Sequence, residues 1–198
     1  MKRIGVTGGI GSGKSTFCTF MGRYGAEIFN ADSEATRIME SEEGVKKQLV
    51  SLMGAKTFLP DGKLNRAFIS ELAFSNQNVL DTIGEIVHPV VQRAFLEQSN
   101  KAEKRGLPAF IREAAILPNS IARKDLDLIV SVVADKEIRV NRVIERSRLT
   151  KEQVEARITA QPTDEEYAAG ATCVIYNNGS ESDLAEEAET FWKTLVVK

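Results

Sequence analysis

The chain has 198 residues, 42% of them apolar, enough for one compact domain with an inserted lobe but not for two full-sized domains. Its 26 basic and 28 acidic residues are interleaved and leave a formal charge of −2, with no broad basic face of the kind a nucleic-acid partner needs. The apolar run after Met1-Lys2-Arg3 is too short for a signal-peptide core, no stretch reaches the roughly 20 apolar residues of a membrane span, and Cys18 and Cys173 read as reduced core thiols, so we expect a soluble cytoplasmic protein without membrane association.

In chain order, Ile4–Thr7 reads as a short strand that ends in glycines, and Phe17, Phe20 and Met21 give helical spacing from Ser15 to Tyr24. Gly25 stops that helix, and Ala26–Phe29 forms a second strand ending at Asn30-Ala31-Asp32. From about Thr36 to Arg105 the apolar spacing is helical, clearly interrupted only by the Pro60-Asp61-Gly62 turn. Strands return at Ala109–Ile111 and Leu128–Val133, and Asp135 reads as the cap of a helix reaching Arg146. Thr150 and Thr163 each open a further helix with a side-chain cap. A last strand, Cys173–Tyr176, leads through Asn177-Asn178-Gly179 to a terminal helix holding Leu184, Phe191, Trp192 and Leu195. Five strands separated by helices predict an α/β fold: a parallel five-stranded sheet in a three-layer α/β/α arrangement. The expected core is 1–35 with 106–198, including a helical lid at about 139–162, and the expected helical insert is 36–105.

Gly8-Gly9-Ile10-Gly11-Ser12-Gly13-Lys14-Ser15 fits G-x-x-x-x-G-K-[ST] between a predicted strand and a predicted helix. In such a loop successive backbone N–H groups converge on phosphate oxygens, and the helix N-terminus adds partial positive charge. Gly9, Ile10, Gly11, Ser12, Gly13, Lys14, Ser15 and Thr16 are therefore the candidate ATP-binding residues. Lys14 reaches the β- and γ-phosphates, and the Ser15 hydroxyl is the candidate Mg²⁺ ligand.

A phosphate loop alone does not separate a kinase from a nucleotide switch. A switch needs Asp-x-x-Gly and Asn-Lys-x-Asp at strand ends, whereas Asp81-Thr82-Ile83-Gly84 and Asn100-Lys101-Ala102-Glu103 fall inside helical patterns, so we read both as coincidences. Asp135 ends the most apolar strand, but the helix behind it makes a cap the better reading than a metal carboxylate. Asp32 ends the second strand, where the carboxyl edge of a parallel sheet faces ligand; general base and helix cap both stand as readings of it. Arg142 and Arg146 share one helix face with Arg139 and Arg148 nearby, which suits either a lid closing on phosphate or a solvated face paired with Glu137 and Glu145.

Taken together, the chain resembles the dephospho-CoA kinase family over nearly its whole length. Val6-Thr7-Gly8-Gly9-Ile10-Gly11-Ser12-Gly13-Lys14-Ser15 is similar to that family's opening, and Asn30-Ala31-Asp32 resembles its Asp-Ala-Asp. His88-Pro89, which by itself reads as a packing or hydrogen-bonding histidine before proline at a helix junction, resembles a His-Pro element of its substrate lobe, Arg142, Arg146 and Gln161 fall at its lid positions, and Tyr176-Asn177-Asn178-Gly179 resembles its loop near adenine. The resemblance implies transfer of the ATP γ-phosphate to the ribose 3′-hydroxyl of dephospho-CoA, with ATP and Mg²⁺ required and no obligatory protein partner. It makes Asp32 the base, Lys14 and Arg142 the charge-neutralising groups, and Asp32, His88 and Arg146 the acceptor-binding residues. It also implies that Asn177, Asn178 and Gly179 line the ATP site.

Three positions depart from the family pattern. Asn30 replaces the first aspartate. Glu113-Ala114-Ala115-Ile116-Leu117 stands where Pro-Leu-Leu-aromatic-Glu is common, so the terminal carboxylate is absent and Glu113 at the start substitutes for it only in part. Thr172 follows Ala171 where an aspartate is common. The residues themselves leave open another small-molecule or nucleoside monophosphate kinase of this fold, and more remotely a non-catalytic nucleotide-binding module.

Overall fold

The computed structural model describes residues 1–115, 117 and 121–196, with side chains at 73–75, 77, 121 and 196 excluded from the description. Ile116, in the segment discussed above, lies outside the described residues. The strands are β1 (Lys2–Thr7), β2 (Glu27–Asn30), β3 (Ala109–Glu113), β4 (Leu128–Val133) and β5 (Cys173–Tyr176). They form one parallel sheet in the order β2-β3-β1-β4-β5. Val6 of β1 pairs with Glu113 on one side and Val130 on the other, so the loop leaving β1 rises from the centre of the sheet's carboxyl edge.

The period-two pattern of the strands explains the layers. Ile4, Val6, Ile111, Val130, Val132 and Ile175 pack against Phe17, Cys18, Phe20 and Met21 of α1 (Lys14–Arg23) and Leu184, Ala188 and Phe191 of α9 (Glu181–Val196). The Phe17 and Phe191 rings meet at 5.8 Å, and Trp192, only partly buried, stacks on Tyr24 at 5.8 Å. Each fully buried large side chain here contributes about 1.5–3 kcal/mol, which anchors the helix that begins at the phosphate loop. The alternate strand residues Phe110, Ile129 and Val133 are also buried, so both sheet faces are covered.

After β4 come three helices, α6 (Lys136–Arg146), α7 (Lys151–Thr159) and α8 (Asp164–Ala169). Both threonines act as the sequence predicts: Thr150 with Gln153, and Thr163 with Glu166, form reciprocal capping boxes. Asp135 does stand at the N-cap of α6, but its side chain accepts no bond from the first turn. Instead its backbone N–H donates to Asn178 Oδ1 at 2.9 Å.

The chain divides into two compact units, Met1–Asn30 with Ser99–Lys198, and Ala31–Gln98. The second contains α2 (Ala31–Ser41), α3 (Glu43–Met53), α4 (Arg66–Ser75) and most of α5 (Gln77–Lys104). Ala31, Ile38, Val45, Leu49, Met53 and Leu64 are buried apolar residues along α2, α3 and the following turn. That turn carries Pro60-Asp61-Gly62 between bridged Phe58 and Leu64, and Glu40 Oε1 accepts the Leu64 N–H at 3.1 Å.

One local expectation is corrected here. His88-Pro89 is not a junction between helices but lies inside the 28-residue α5. Proline lacks the N–H that would bond one turn back, yet the apolar positions on either side keep a single helical face, and the helix runs through.

Candidate active site

Residues 8–13 connect the end of β1 to α1, and Gly13 holds the N-cap of that helix at φ 99°, a backbone conformation that strains any side chain. Gly13 brings no side-chain cap, so the first-turn N–H groups keep their capacity to bind an anion. The space a Cβ would need at Gly13 is filled by the Asn177 amide, which donates to Ser12 O at 2.7 Å. Ser12 N donates back to Gly9 O at 3.2 Å, Lys14 Nζ lies 3.4 Å from the same carbonyl, and Ser12 Oγ is buried with no hydrogen-bond partner among the described residues. The phosphate loop is therefore braced by the loop that follows β5.

Arg142 completes that brace. Its Nη1 donates to Asn177 O at 2.9 Å and its Nη2 to Gly179 O at 3.0 Å, so α6 is tied to the Asn177-Asn178-Gly179 loop. Arg146, one turn further along, is exposed.

On the other side of the loop, Ser15 Oγ donates to Glu113 Oε1 at 2.6 Å, and Asn30 Nδ2 donates to Glu113 Oε2 at 3.1 Å. Glu113 is buried, and sheet register sets it directly between Val6 and Asn30. Its two oxygens thus orient the serine hydroxyl of the phosphate loop and the amide at the end of β2. The Cys18 thiol, one turn into α1, is pushed well up by burial and by the Glu113 charge, against a smaller lowering by Lys14. It is a protonated core thiol.

Asp32 and His88 belong to the second unit. Asp32 is the second residue of α2, exposed, in its first turn and not at its cap position. A carboxylate in a first turn still favours the helix through its dipole, so the cap reading is replaced by a weaker structural role. The exposed His88 ring lies over Gly84 of α5.

A sequence model of the dephospho-CoA kinase family matches residues 2–183. The chain belongs to that family. It is 36% identical over 193 residues to the dephospho-CoA kinase of Salinibacter ruber, covering 97% of each chain. It is 35% identical to that of Corynebacterium glutamicum over 188 residues, covering 95% of this chain and 94% of the relative. A crystal structure from Thermus thermophilus superposes with a TM-score of 0.82 at 33% identity, over 98% of both chains. Dephospho-CoA kinase from Campylobacter jejuni, at 23% identity and a TM-score of 0.70 over 98% and 96% of the two chains, shares the fold. As a member of this family the chain is an ATP-dependent kinase, and the phosphate loop described above is the element that carries ATP use.

Two residues of this site carry more than the sequence reading gave them. Glu113, read there only as a partial substitute for a missing family carboxylate, ends β3, and only the strand order, with β3 beside β1, brings it to Ser15. Arg139 reads in sequence as one of four arginines, yet it is almost completely buried. The available signal was its alignment with Val140 and Val143 on the inward face of α6.

Proposed function

We propose that the protein transfers the γ-phosphate of ATP to the ribose 3′-hydroxyl of dephospho-CoA, forming CoA and ADP, the reaction named for its relatives. What carries the reading is the family match across the chain together with the braced phosphate loop. The amides from Gly9 to Thr16 and the Lys14 ammonium hold the β- and γ-phosphates, and Asn177, Asn178 and Gly179 line the nucleotide's base end. Phosphoryl transfer asks mainly for alignment and for charge neutralisation, and Lys14 and Arg142 supply the positive charge.

Ser15 and Glu113 fit a magnesium ion, which prefers hard oxygen donors and keeps several waters and phosphate oxygens as ligands. Ser15 Oγ would ligate it directly, with its proton held by Glu113, and the ion would neutralise phosphate charge. Groups of three or more histidine, cysteine or carboxylate side chains able to hold a metal are absent among the described residues, which suits an ion bound chiefly by nucleotide.

Asp32 takes the proton of the acceptor hydroxyl as its oxygen bonds to the γ-phosphorus. The bond from that phosphorus to the bridging oxygen of ADP breaks, and ADP leaves with the electron pair. Helices of the unit 31–98 receive the acceptor, with His88 and Arg146 contacting it. Among the described residues no helix is long and apolar enough to cross a membrane, and the free thiols Cys18 and Cys173 fit a reducing compartment such as the cytoplasm. The test of the base is Asp32→Asn: turnover should fall about 100-fold or more while an ATP analogue binds with wild-type affinity. An unchanged turnover would return Asp32 to a purely structural place in α2.

A further inference from the structure

Ile10, in the middle of the phosphate loop, is held from three directions. Its N–H donates to Gln161 Oε1 at 2.7 Å, and its carbonyl accepts from Arg139 Nε at 3.0 Å. Its side chain packs on the cluster of Val140, Val143 and Val154 between α6 and α7. Arg139 is only 2% exposed and is itself fixed by Asp164, whose Oδ1 lies 2.7 Å from Nη1. Its guanidinium lies in the space a side chain at Gly9 would occupy, and Nη2, facing that glycine, is buried without a hydrogen-bond partner among the described residues.

An ion pair with its arginine buried and Asp164 only partly so gains little net stability, because desolvation offsets most of the attraction; what it fixes is geometry. Here the geometry fixed is that of the backbone at Ile10, the N–H of one peptide group and the carbonyl of the next. Arg139 stands at the first residue of the expected lid, 139–162, and Gln161 next to its last, so both ends of that segment hold the backbone of Ile10 through a polar side chain. Rotation of the Ile10 peptide would redirect the N–H groups that follow it, which are the ones a phosphate needs.

We propose that Arg139 and Gln161 are positioning residues for the nucleotide, acting through the Ile10 peptide to hold the phosphate loop in its anion-binding shape. Neither is a catalytic residue. The inference rests on reading this loop as the ATP site, and it is independent of the acceptor's identity. Since the phosphates are held in the ground state and in the transition state alike, loss of the clamp acts on nucleotide affinity more than on turnover.

The experiment is calorimetric binding of the β,γ-imido analogue of ATP, with Mg²⁺ and no acceptor, to full-length wild type, Gln161→Met and Arg139→Lys, beside thermal midpoints and steady-state kinetics. Methionine keeps the volume of Gln161 without its acceptor, and lysine keeps the charge facing Asp164 without the Nε donor. Each variant is expected to bind the analogue about five- to tenfold more weakly, as loss of one hydrogen bond implies, with kcat within about threefold of wild type. Wild-type affinity in either folded variant, even with a lowered thermal midpoint, overturns the proposal. If Arg139→Lys does not fold, Gln161→Met decides alone. Failure of the wild type to bind the analogue would instead reject the loop as an ATP site, a separate result.

Discussion

Glu113 joins what the sheet brings together: its carboxylate accepts from the Ser15 hydroxyl and from the Asn30 amide, one oxygen each. Replacing it by Gln keeps the shape and removes the charge. The expected outcome is a Mg²⁺ requirement raised about tenfold or more, the usual cost of losing the group that orients a metal ligand, measured as the midpoint of a Mg²⁺ titration of ADP formation. An unchanged midpoint would leave Glu113 a hydrogen-bond partner only. This residue also shows where sequence reading stops. The glycines of the loop and Lys14 are legible because strand, loop and helix follow one another in the chain. Glu113 reaches Ser15 across 98 positions, through a strand order that no local pattern encodes.

At the scale of elements, capping is the most local of the interactions, and both capping boxes, at Thr150 and Thr163, form where the sequence places them. The α5 helix is the opposite case. Its proline marks a boundary by local rules, but the apolar face continuing through Val87 and Val91, both buried, outweighs one lost bond. Pro89 is exposed, so Pro89→Ala should stabilise the protein by about 1–3 kcal/mol in urea denaturation, as removal of a helix-interior proline implies, with affinity for an ATP analogue unchanged. No gain in stability would mean that the strain at Pro89 is already relieved around it. Arg142 shows the same dependence on tertiary context: its helix is legible, while its engagement by the Asn177–Gly179 loop depends on β5 lying beside β4.

For the whole molecule, the core that joins α1, α9 and the sheet contains a titratable group, Cys18. Burial and Glu113 raise its pKa in the folded state, so the unfolded chain releases this proton first as pH rises. The folded protein then holds more protons than the unfolded one, and stability falls with rising pH above about 8.5, the ordinary thiol value. Thermal midpoints measured between pH 7 and 10 should show this loss in wild type and less of it in Cys18→Ala, against that variant's own lower baseline. Equal slopes would show that the thiol does not contribute. The parallel sheet with helices between its strands follows from the change in apolar period along the chain, which is why the fold class could be read in advance. The identity of the acceptor has no such signature.

The most direct test of the proposed function is therefore ADP formation from Mg·ATP by the purified protein with dephospho-CoA, AMP, adenosine or no acceptor, with Lys14→Ala as the inactive control. The expected result is stimulation by dephospho-CoA alone, with new phosphate on the ribose 3′-oxygen and activity lost in the Lys14 variant. Stimulation by another acceptor and not by dephospho-CoA, or turnover that survives Lys14→Ala, would contradict it.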